Sequence, residues 1–335
     1  MIKILCLHAS TSLASYRYRV EQFTPFWKEY DIEVDLVSLS GKGYPDKLKL
    51  ALSAGRYDYV WLQKKVLSPI FINIIASRSR LIYDFDDAIY STGSHTSGHV
   101  KPSHAGSRQT VKRLHHVLEK SCLVFAGSPE LVEYSRRHNA SDVELVPTAL
   151  EMPLWNPQPR DPLVPIRIGW IGVSSNMLYL ELADQAAVQV QERYPDVVFS
   201  LMSGEPPTGL KTKWEFVPWS KESQEPWLRS LDIGIMPLTD DQWSRGKCAF
   251  KLLQYMSYGK PVIASAVGAN LDAVRHGKSG YLVSTPEEWF RAFESLITYP
   301  ELRCAMGEES FRLFSGEYDR KIIQAKIAGI LHDRL

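Results

Sequence analysis

The chain alternates between short apolar runs and longer amphipathic stretches over most of its length. An apolar run bounded by polar residues is typical of a strand buried on both faces, and the amphipathic stretches between such runs predict helices. The predicted strands cover residues 2–7, 32–39, 57–63, 80–85, 122–126 and 143–146, and then 167–173, 198–204, 214–217, 233–238, 262–264 and 281–283. This regular alternation predicts an α/β protein with parallel sheets.

A proline-rich segment divides the two sets of predicted strands. Residues 153–165 contain five prolines, which fix the backbone and remove hydrogen-bond donors. We therefore predict a linker at 153–165 between a first domain of residues 1–152 and a second domain of residues 166–318. Each half repeats the strand–helix order of a Rossmann-like domain. A final helix is predicted over residues 319–335.

Composition indicates an ordinary globular protein. The chain has 335 residues, of which 44% are hydrophobic and 23% are charged, enough for two separate cores. It has no run of about 18 apolar residues of the kind that spans a membrane, and residues 1–7 resemble a strand more than a signal peptide. Its four cysteines have no metal-binding spacing. We therefore expect reduced thiols and a cytoplasmic location.

Charge is distributed unevenly along the chain, although the net charge is only +1. Residues 1–150 contain 19 lysines and arginines against 15 acidic residues, whereas residues 151–335 contain 20 against 23. A basic first half suits an anionic acceptor or an anionic membrane surface, with the protein bound peripherally at the inner face. The alternative is that these charges are scattered over the surface and only keep the protein in solution. We expect no nucleic-acid partner.

The most informative stretch is RGKCAFKLLQYMSYGKPVIASAVG, residues 245–268. It predicts a helix over 248–258, ended by Gly259, and a buried strand over 262–264. Gly246 stands beside Lys247 ahead of the helix, and a glycine with a basic residue at a helix N-terminus suits a bound phosphate. The alternative is that the stretch only packs a helix on a strand.

The segment FKLLQYMSYGKPVIAS resembles the signature of the GT-B glycosyltransferases of family 4 type, the glycosyl transferases group 1. Members of that family carry Glu-Ala-Met-Ala-x-Gly-x-Pro-Val-Val-Ala-Ser at this point, with two glutamates eight residues apart. In this chain Gln254 and Gly246 occupy those two positions. The resemblance implies a GT-B fold, in which two Rossmann-like domains face a cleft and the last helix, 319–335, crosses back to the first domain.

The same resemblance implies a glycosyltransferase of hexosyltransferase type that works without a metal or other cofactor and retains the anomeric configuration. The donor would be a UDP- or GDP-linked sugar held by the second domain. The acceptor would be a saccharide or lipid-linked molecule of bacterial surface polysaccharide or glycoconjugate synthesis. The residues expected to bind the donor are Gly172, Ser174, Gly246, Lys247, Lys251, Gln254 and Gly268. Because the glutamates are missing, a non-catalytic nucleotide-sugar-binding module and another GT-B enzyme, such as an epimerase, stay open as alternatives.

Acidic residues cluster where the predicted strand 80–85 ends, at Asp84, Asp86 and Asp87. Neighbouring carboxylates repel one another, so their presence at the carboxyl end of a buried strand suggests a function. Asp86 and Asp87 are our candidate catalytic residues, which would orient the acceptor or accept its proton if their pKa were raised. The alternatives are helix capping and pairing with an arginine.

Aromatic and basic residues follow the first strand, at Tyr16, Arg17 and Arg19. We expect them in the loop before a helix that begins near Arg19, at the crevice where open α/β sheets bind ligands. Guanidinium groups there suit a phosphate or an anionic acceptor. Pairing with surface acids is the alternative.

A polar loop over residues 91–107 contains His95, His99 and His104. Three histidines raise the question of zinc, but neither cysteines nor acids stand at ligand spacing beside them. We expect no metal site and interpret the segment as a loop on the acceptor side.

Overall fold

The computed structural model describes residues 1–92, 104–153 and 164–335. Two six-stranded parallel sheets form the centres of two domains. The first sheet comprises β1 (Ile2–His8), β2 (Ile32–Ser38), β3 (Tyr59–Gln63), β4 (Arg80–Phe85), β7 (Leu123–Ala126) and β8 (Val143–Leu145). The second comprises β9 (Arg167–Ile171), β10 (Val198–Ser203), β11 (Trp214–Pro218), β12 (Ile233–Met236), β13 (Val262–Ser265) and β14 (Gly280–Val283). A short hairpin pairs β5 (Ser91–Thr92) with β6 (His104–Ala105).

Strand order locates the crevice of each domain. The second sheet has the order β11-β10-β9-β12-β13-β14, in which the connections reverse direction between β9 and β12. The first sheet has the order β2-β1-β3-β4-β7-β8, in which they reverse between β1 and β3. Ligands of open α/β sheets bind at such reversals, outside the carboxyl ends of the strands. The strand order therefore points to two crevices, one in each domain.

Helices cover both faces of the first sheet. One face carries α2 (Tyr44–Ser53), α3 (Pro69–Ala76), α4 (Arg108–Lys120) and α5 (Pro129–Arg137). The other carries α1 (Ala14–Arg19), a 3₁₀ helix (Glu21–Tyr30) and the last helix, α13 (Arg320–Asp333). Ile323, Ile327 and Leu331 of α13 are buried in the first-domain core, so the last helix crosses back as expected.

The second sheet is covered in the same way. Its helices are α6 (Glu181–Arg193), α7 (Lys221–Ser230), α8 (Gln242–Arg245), α9 (Phe250–Ser257), α10 (Asn270–Ala273), α11 (Pro286–Thr298) and α12 (Pro300–Glu317), together with a 3₁₀ helix (Ser174–Leu180). No helix within the described ranges is long and apolar enough to cross a lipid bilayer.

The helix after β1 begins at Ala14 and not near Arg19, so Tyr16 and Arg17 lie in a helix instead of a loop. Residues 154–163 of the predicted linker lie outside the described residues, as do residues 93–103 of the predicted acceptor-side loop, including His95 and His99.

Candidate functional site

A cleft of about 660 Å³ lies between the two domains, at the carboxyl ends of both sheets. Its second-domain wall includes Ile171, Gly172 and Met236, which lie at the reversal between β9 and β12. Its first-domain wall includes Ser12 and Lys64, which follow β1 and β3. The two crevices expected from strand order therefore open into one shared cavity.

Helix α9 holds the second-domain wall in place. Tyr255 points into the core, where its hydroxyl accepts a hydrogen bond from Ile171 N at 3.0 Å and donates to Ile235 O at 3.3 Å. The helix begins at Phe250, two residues later than predicted, because Ala249 adopts a left-handed conformation with φ 52°. Almost every side of α9 is buried, and even the polar Gln254 is only 5% exposed. A helix that is amphipathic on one side would leave more of its surface exposed.

Lys247, which precedes α9, and Lys251, in its first turn, face the cleft without an ion-pair partner in the described part of the chain. The ammonium group of Lys247 lies 4.9 Å from the ring centroid of Trp243, and that of Lys251 lies 5.5 Å from the ring of Trp170. Burial, and to a smaller extent the positive charge of the neighbouring Lys247, lower the pKa of Lys251 to about 7. Burial likewise lowers the pKa of Lys247. A bound anion would stabilise the protonated form of both groups.

Gly172 has a steric reason to be glycine. A Cβ at this position would lie 2.7 Å from the ring of Trp170 and 2.8 Å from Cε of Lys251. Gly172 therefore lets the Lys251 side chain lie flat along the cleft wall. Ser174 follows at the start of the 3₁₀ helix and also lines the cavity, as does Gln254.

The donor contacts expected of Gly246 and Gly268 stay a prediction. Gly246 and Gly268 are not among the described residues that line the cavity. Gly246 packs against Ala88 of the first domain, and Gly268, with φ 53°, packs against the backbone of Arg245. Both positions require glycine because neighbouring atoms leave no room for a side chain.

Two of the three residues expected at the crevice after β1 lie instead in the core of the first domain. Arg19 is 3% exposed, and its Nε donates to Oδ1 of Asp84 at 2.8 Å, while Nη1 donates to Val146 O at 2.9 Å. Tyr16 is 4% exposed and stacks on His8. These side chains belong to the first-domain core, because α1 turns them away from the cleft.

Arg17 is the member of that trio that reaches the cleft. Its guanidinium group lies 5.6 Å from the ring of Tyr18 and 5.6 Å from the ring of Trp219 in the second domain. Tyr18 in turn lies 4.5 Å from the ring of Phe250. Arg17 and Tyr18 therefore connect the two walls of the cleft.

Asp86 and Asp87 line the cleft and share one partner that sequence reasoning missed, Lys64. The ammonium group of Lys64 lies 3.0 Å from Oδ1 of Asp86 and forms a second ion pair with Asp87. Lys64 follows β3 directly and has φ 61°, a conformation that is uncommon outside glycine and clusters at functional sites. The sequence did contain a sign of this pairing, because Lys64 follows a predicted strand whose carboxyl end lies at the same sheet edge as the acidic cluster.

The charge environment of Asp87 contradicts the raised pKa that we expected. Burial alone would raise it, but Lys64, Lys247 and Lys251 outweigh burial and hold the pKa of Asp87 below its usual range. Asp87 is therefore ionised near neutral pH, which suits a hydrogen-bond acceptor or a positioned negative charge more than a base that needs a raised pKa.

The positions of possible metal-ligating side chains bear on whether the site could hold a metal ion. Across the described ranges, no three histidine, cysteine, aspartate or glutamate side chains are grouped so that they could hold a metal ion. Asp86 and Asp87 are instead neutralised by a lysine. The absence of a metal requirement stays a prediction.

Known proteins resemble this chain in sequence and in fold. Residues 166–299 match the family model described as glycosyl transferases group 1. The match covers most of the second domain. The matched segment contains the cleft residues Lys247, Lys251 and Gln254.

Two curated relatives are glycosyltransferases by name. The D-inositol 3-phosphate glycosyltransferase of Pseudarthrobacter chlorophenolicus is 32% identical over 83 residues, which are 24% of this chain and 19% of that protein. The protein of the same name from Corynebacterium urealyticum is 27% identical over 161 residues, 42% of this chain and 37% of that protein. The matches thus span about a fifth to about two fifths of these relatives.

Solved structures match over the whole chain and show the fold. Anabaena HepE in complex with UDP superposes with a TM-score of 0.74 at 16% identity, covering 99% of this chain and 100% of that one. Sucrose-phosphate synthase from Thermosynechococcus elongatus superposes with a TM-score of 0.72 at 13% identity, covering 99% of both chains. The chain has the GT-B fold, and the predicted resemblance is confirmed.

Proposed function

We propose that this protein is a glycosyltransferase that moves a sugar from a nucleotide-sugar donor to an acceptor held against the first domain. The observation that carries the proposal is the pair of half-buried ammonium groups of Lys247 and Lys251, which face the cleft without an ion-pair partner among the described residues. Transfer from a nucleotide sugar releases a nucleoside diphosphate, and fixed positive charge stabilises that leaving group.

The donor is a UDP- or GDP-linked sugar in this proposal. The group 1 match of the second domain supports a nucleotide-sugar donor, and HepE, a protein of the same fold, has been crystallised with UDP and with UDP-glucose. Gln254 lines the cavity one helical turn after Lys251, so its amide is available for a ribose hydroxyl. Gly172 and Ser174 offer backbone and hydroxyl groups beside the diphosphate.

On the acceptor side, Asp86 and Asp87 orient the acceptor hydroxyl from the first-domain wall. Their carboxylates are held by Lys64, and Asp87 is ionised, so each can accept a hydrogen bond from a hydroxyl group. Arg17 adds a positive charge at the same wall. We further propose a hexosyl transfer with retention, independent of metal, to a saccharide or lipid-linked acceptor in the synthesis of bacterial surface polysaccharide or glycoconjugate.

A non-catalytic nucleotide-sugar-binding module is the second candidate. The observation in its favour is that Gln254 and Gly246 occupy the two positions where the resembled family has glutamates. An epimerase on the same fold is also compatible with a nucleotide-sugar cleft. The three candidates differ in what happens to the donor after it binds.

Nucleotide binding tests the lysine pair directly. We expect Lys247→Met and Lys251→Met each to weaken UDP or GDP binding by about 1–3 kcal/mol in calorimetry, because each removes a charge-assisted contact. Lys278→Met, on an exposed turn of the second domain, is the matched control and should bind as the wild type does. Failure of both nucleotides to bind the wild type would contradict the proposal.

Gln254 gives an independent test of the same pocket. We expect Gln254→Ala to weaken nucleotide binding with little change in melting temperature, and Gln254→Glu, which installs the family residue, to bind.

Turnover separates the three candidates. UDP release from UDP-glucose that is stimulated by a saccharide or lipid-linked acceptor supports a transferase. Binding without release supports the module, and conversion of the donor sugar without UDP release supports an epimerase.

A further inference from the structure

Three polar side chains lie in a row inside the first domain, at the carboxyl edge of its sheet. Strand β1 ends at His8, β3 ends at Gln63, and Asp84 is the last polar residue of β4. The pairing of β1 with β3 places His8 beside Gln63, and Gln63 pairs directly with Asp84. Because side chains alternate along a strand, all three belong to the face of the sheet that α1 covers.

Two members of this row have polar atoms without a hydrogen-bond partner among the described residues. Gln63 is fully buried, yet neither its amide nitrogen nor its amide oxygen forms a hydrogen bond within the described ranges. His8 is 2% exposed, and its Nδ1 is likewise unpartnered there. Asp84, by contrast, accepts hydrogen bonds from Arg19 and from the indole N–H of Trp61. Burying an unpaired polar atom costs free energy, so three such atoms together indicate a place that a hydrogen-bonding molecule fills.

The position of these atoms in the fold favours a ligand. They lie at the reversal of strand order between β1 and β3, where open α/β sheets bind their ligands. Lys64 follows Gln63 directly and lines the cleft, and Ser12 lines it four residues after His8. The unpartnered atoms therefore lie directly behind the part of the cleft wall that joins β1 to α1.

That part of the wall, residues 10–13, is bonded only to itself and to the start of α1. Within the described chain, its hydrogen bonds all stay inside residues 10–17. The hydroxyl groups of Ser10 and Ser12 bond to each other at 2.9 Å, and Leu13 N donates to Ser10 O at 3.4 Å. Leu13 precedes α1 without a side-chain capping bond and is 40% exposed. The segment can therefore lift without breaking a hydrogen bond to the rest of the described domain.

The unpartnered atoms suit neutral hydroxyl groups. An amide offers both donors and an acceptor, and a hydroxyl group can pair with either. An ionised phosphate or carboxylate only accepts, so it would leave Oε1 of Gln63 unpaired. Burial lowers the pKa of His8, so its imidazole carries no positive charge near neutral pH to attract an anion. The ion pair of Arg19 with Asp84 neutralises its own charge.

We propose that His8 and Gln63 form the floor of an acceptor subsite that binds a sugar ring through its neutral hydroxyl groups. That the bound sugar is an acceptor rests on the proposed function. The sugar enters from the cleft when residues 10–13 lift, and the Gln63 amide and the His8 imidazole then hold its hydroxyl groups. The ring of Tyr16, stacked on His8 at 4.1 Å, fixes the plane of the imidazole.

The side-chain amide signals of Gln63 test binding directly. In ¹H–¹⁵N spectra of the full chain with UDP, these signals are identified by their loss in Gln63→Leu. We expect at least one of glucose, galactose, mannose and N-acetylglucosamine to shift them, and inorganic phosphate to leave them in place. If water alone fills the place, none of the sugars shifts the signals, and that result would overturn the proposal. A shift with phosphate as large as that with any sugar would overturn it too.

Two variants separate sugar binding from a structural role. Gln63→Leu removes both unpartnered atoms at similar volume, so it should raise the urea midpoint and still lower kcat/KM for the sugar that binds by about tenfold or more. His8→Phe keeps a ring against Tyr16 and should also lower kcat/KM, mainly by raising KM.

Tyr90→Phe is the matched control for these variants. Tyr90 is buried, its hydroxyl is unpartnered in the described part of the chain, and it lies outside the residues that line the cleft. Its substitution should leave kcat/KM within about twofold of the wild type. A Gln63→Leu protein that is less stable than the wild type and equally active would show that the amide is structural and would overturn the subsite.

UDP binding and UDP release keep this proposal separate from the proposed function. The variants should bind UDP as the wild type does, since neither His8 nor Gln63 is among the described residues that line the cleft. Sugar-induced shifts at Gln63 without UDP release from UDP-glucose would leave the subsite standing and refute the transferase. Sugar-stimulated UDP release that is unchanged in Gln63→Leu and His8→Phe would leave the transferase standing and overturn the subsite.

Discussion

Gly246 of the second domain lies so close to Ala88 of the first that a Cβ built on Gly246 would sit 2.5 Å from the Cβ of Ala88. The backbone around this contact is tied across the cleft, since Sγ of Cys248 donates to Asp86 O at 3.1 Å. The position where the resembled family has its first glutamate is therefore a contact between domains in this chain. Carboxylates that face the cleft come instead from the first domain, at Asp86 and Asp87.

A side chain at position 246 should push the domains apart. We expect Gly246→Ala to lower the free energy of unfolding by about 1–3 kcal/mol, as overpacking does, and Ala88→Gly to recover part of the loss in the double variant. Urea unfolding of the four proteins measures this coupling. Gly316→Ala is the control, because a Cβ there meets nothing within 4 Å. Full stability of Gly246→Ala would show that the contact is not maintained in solution.

Nucleotide affinity should depend on pH through Lys251. Because burial lowers its pKa to about 7, this side chain is largely neutral at higher pH. A bound diphosphate favours the ammonium form, so binding should take up a proton, and affinity should fall as the pH rises from about 7 to about 9. Calorimetry in buffers of different ionisation enthalpy measures the proton uptake.

Lys251→Met is the comparison for that measurement, and it should show weaker binding with less proton uptake. Any uptake that persists in this variant would come from other groups, including Lys247, whose pKa burial also lowers. The same uptake in Lys251→Met and the wild type would contradict the role of Lys251.

Lys64 should control the protonation of Asp87. Removing its charge in Lys64→Met leaves the two neighbouring carboxylates without their shared partner, so the pKa of Asp87 should rise. If ionised Asp87 orients the acceptor, the acidic limb of the pH–rate profile for transfer should move to higher pH. Lys64→Arg keeps the charge and should return the limb towards the wild-type position.

Asp87→Asn completes this test. It should bind UDP normally and lose transfer by about a hundredfold or more. An unchanged acidic limb in Lys64→Met, or normal transfer by Asp87→Asn, would remove Asp87 from the mechanism.

The buried pair Arg19–Asp84 should matter for stability and not for the nucleotide. Arg19→Met leaves the Asp84 carboxylate buried without its arginine, which costs about 3–5 kcal/mol in comparable buried pairs. We expect a clearly lower urea midpoint with unchanged UDP affinity in the protein that folds. Arg17→Met, two residues away at the cleft, should show little loss of stability. A stable Arg19→Met that has lost UDP binding would return Arg19 to the cleft.

Much of the fold was predictable because its signals are local. Short apolar runs between amphipathic stretches located all twelve strands of the two large sheets, since a strand buried on both faces needs a continuous run of apolar residues. The stretch around Lys247, Lys251 and Gln254 was also predictable, because its helix, glycine and buried strand follow one another directly in the chain. Asp86 and Asp87 followed from their place at the end of β4.

The tertiary structure decided what depends on distant contacts. The sequence alone does not distinguish Arg17 from Arg19, because both follow the first strand between aromatic residues. Residues two apart on a helix point in different directions, so Arg17 faces the cleft and Arg19 pairs with Asp84 in the core. Lys64 meets Asp86 and Asp87 only because β3 and β4 are neighbours in the sheet. Gly246 became a packing position because Ala88, on the other domain, fills the space beside it. Apolar periodicity reports only on residues that are close in the sequence and carries no information about contacts between distant residues. Only the folded chain therefore shows which of these residues lie in the cleft and which pack behind it.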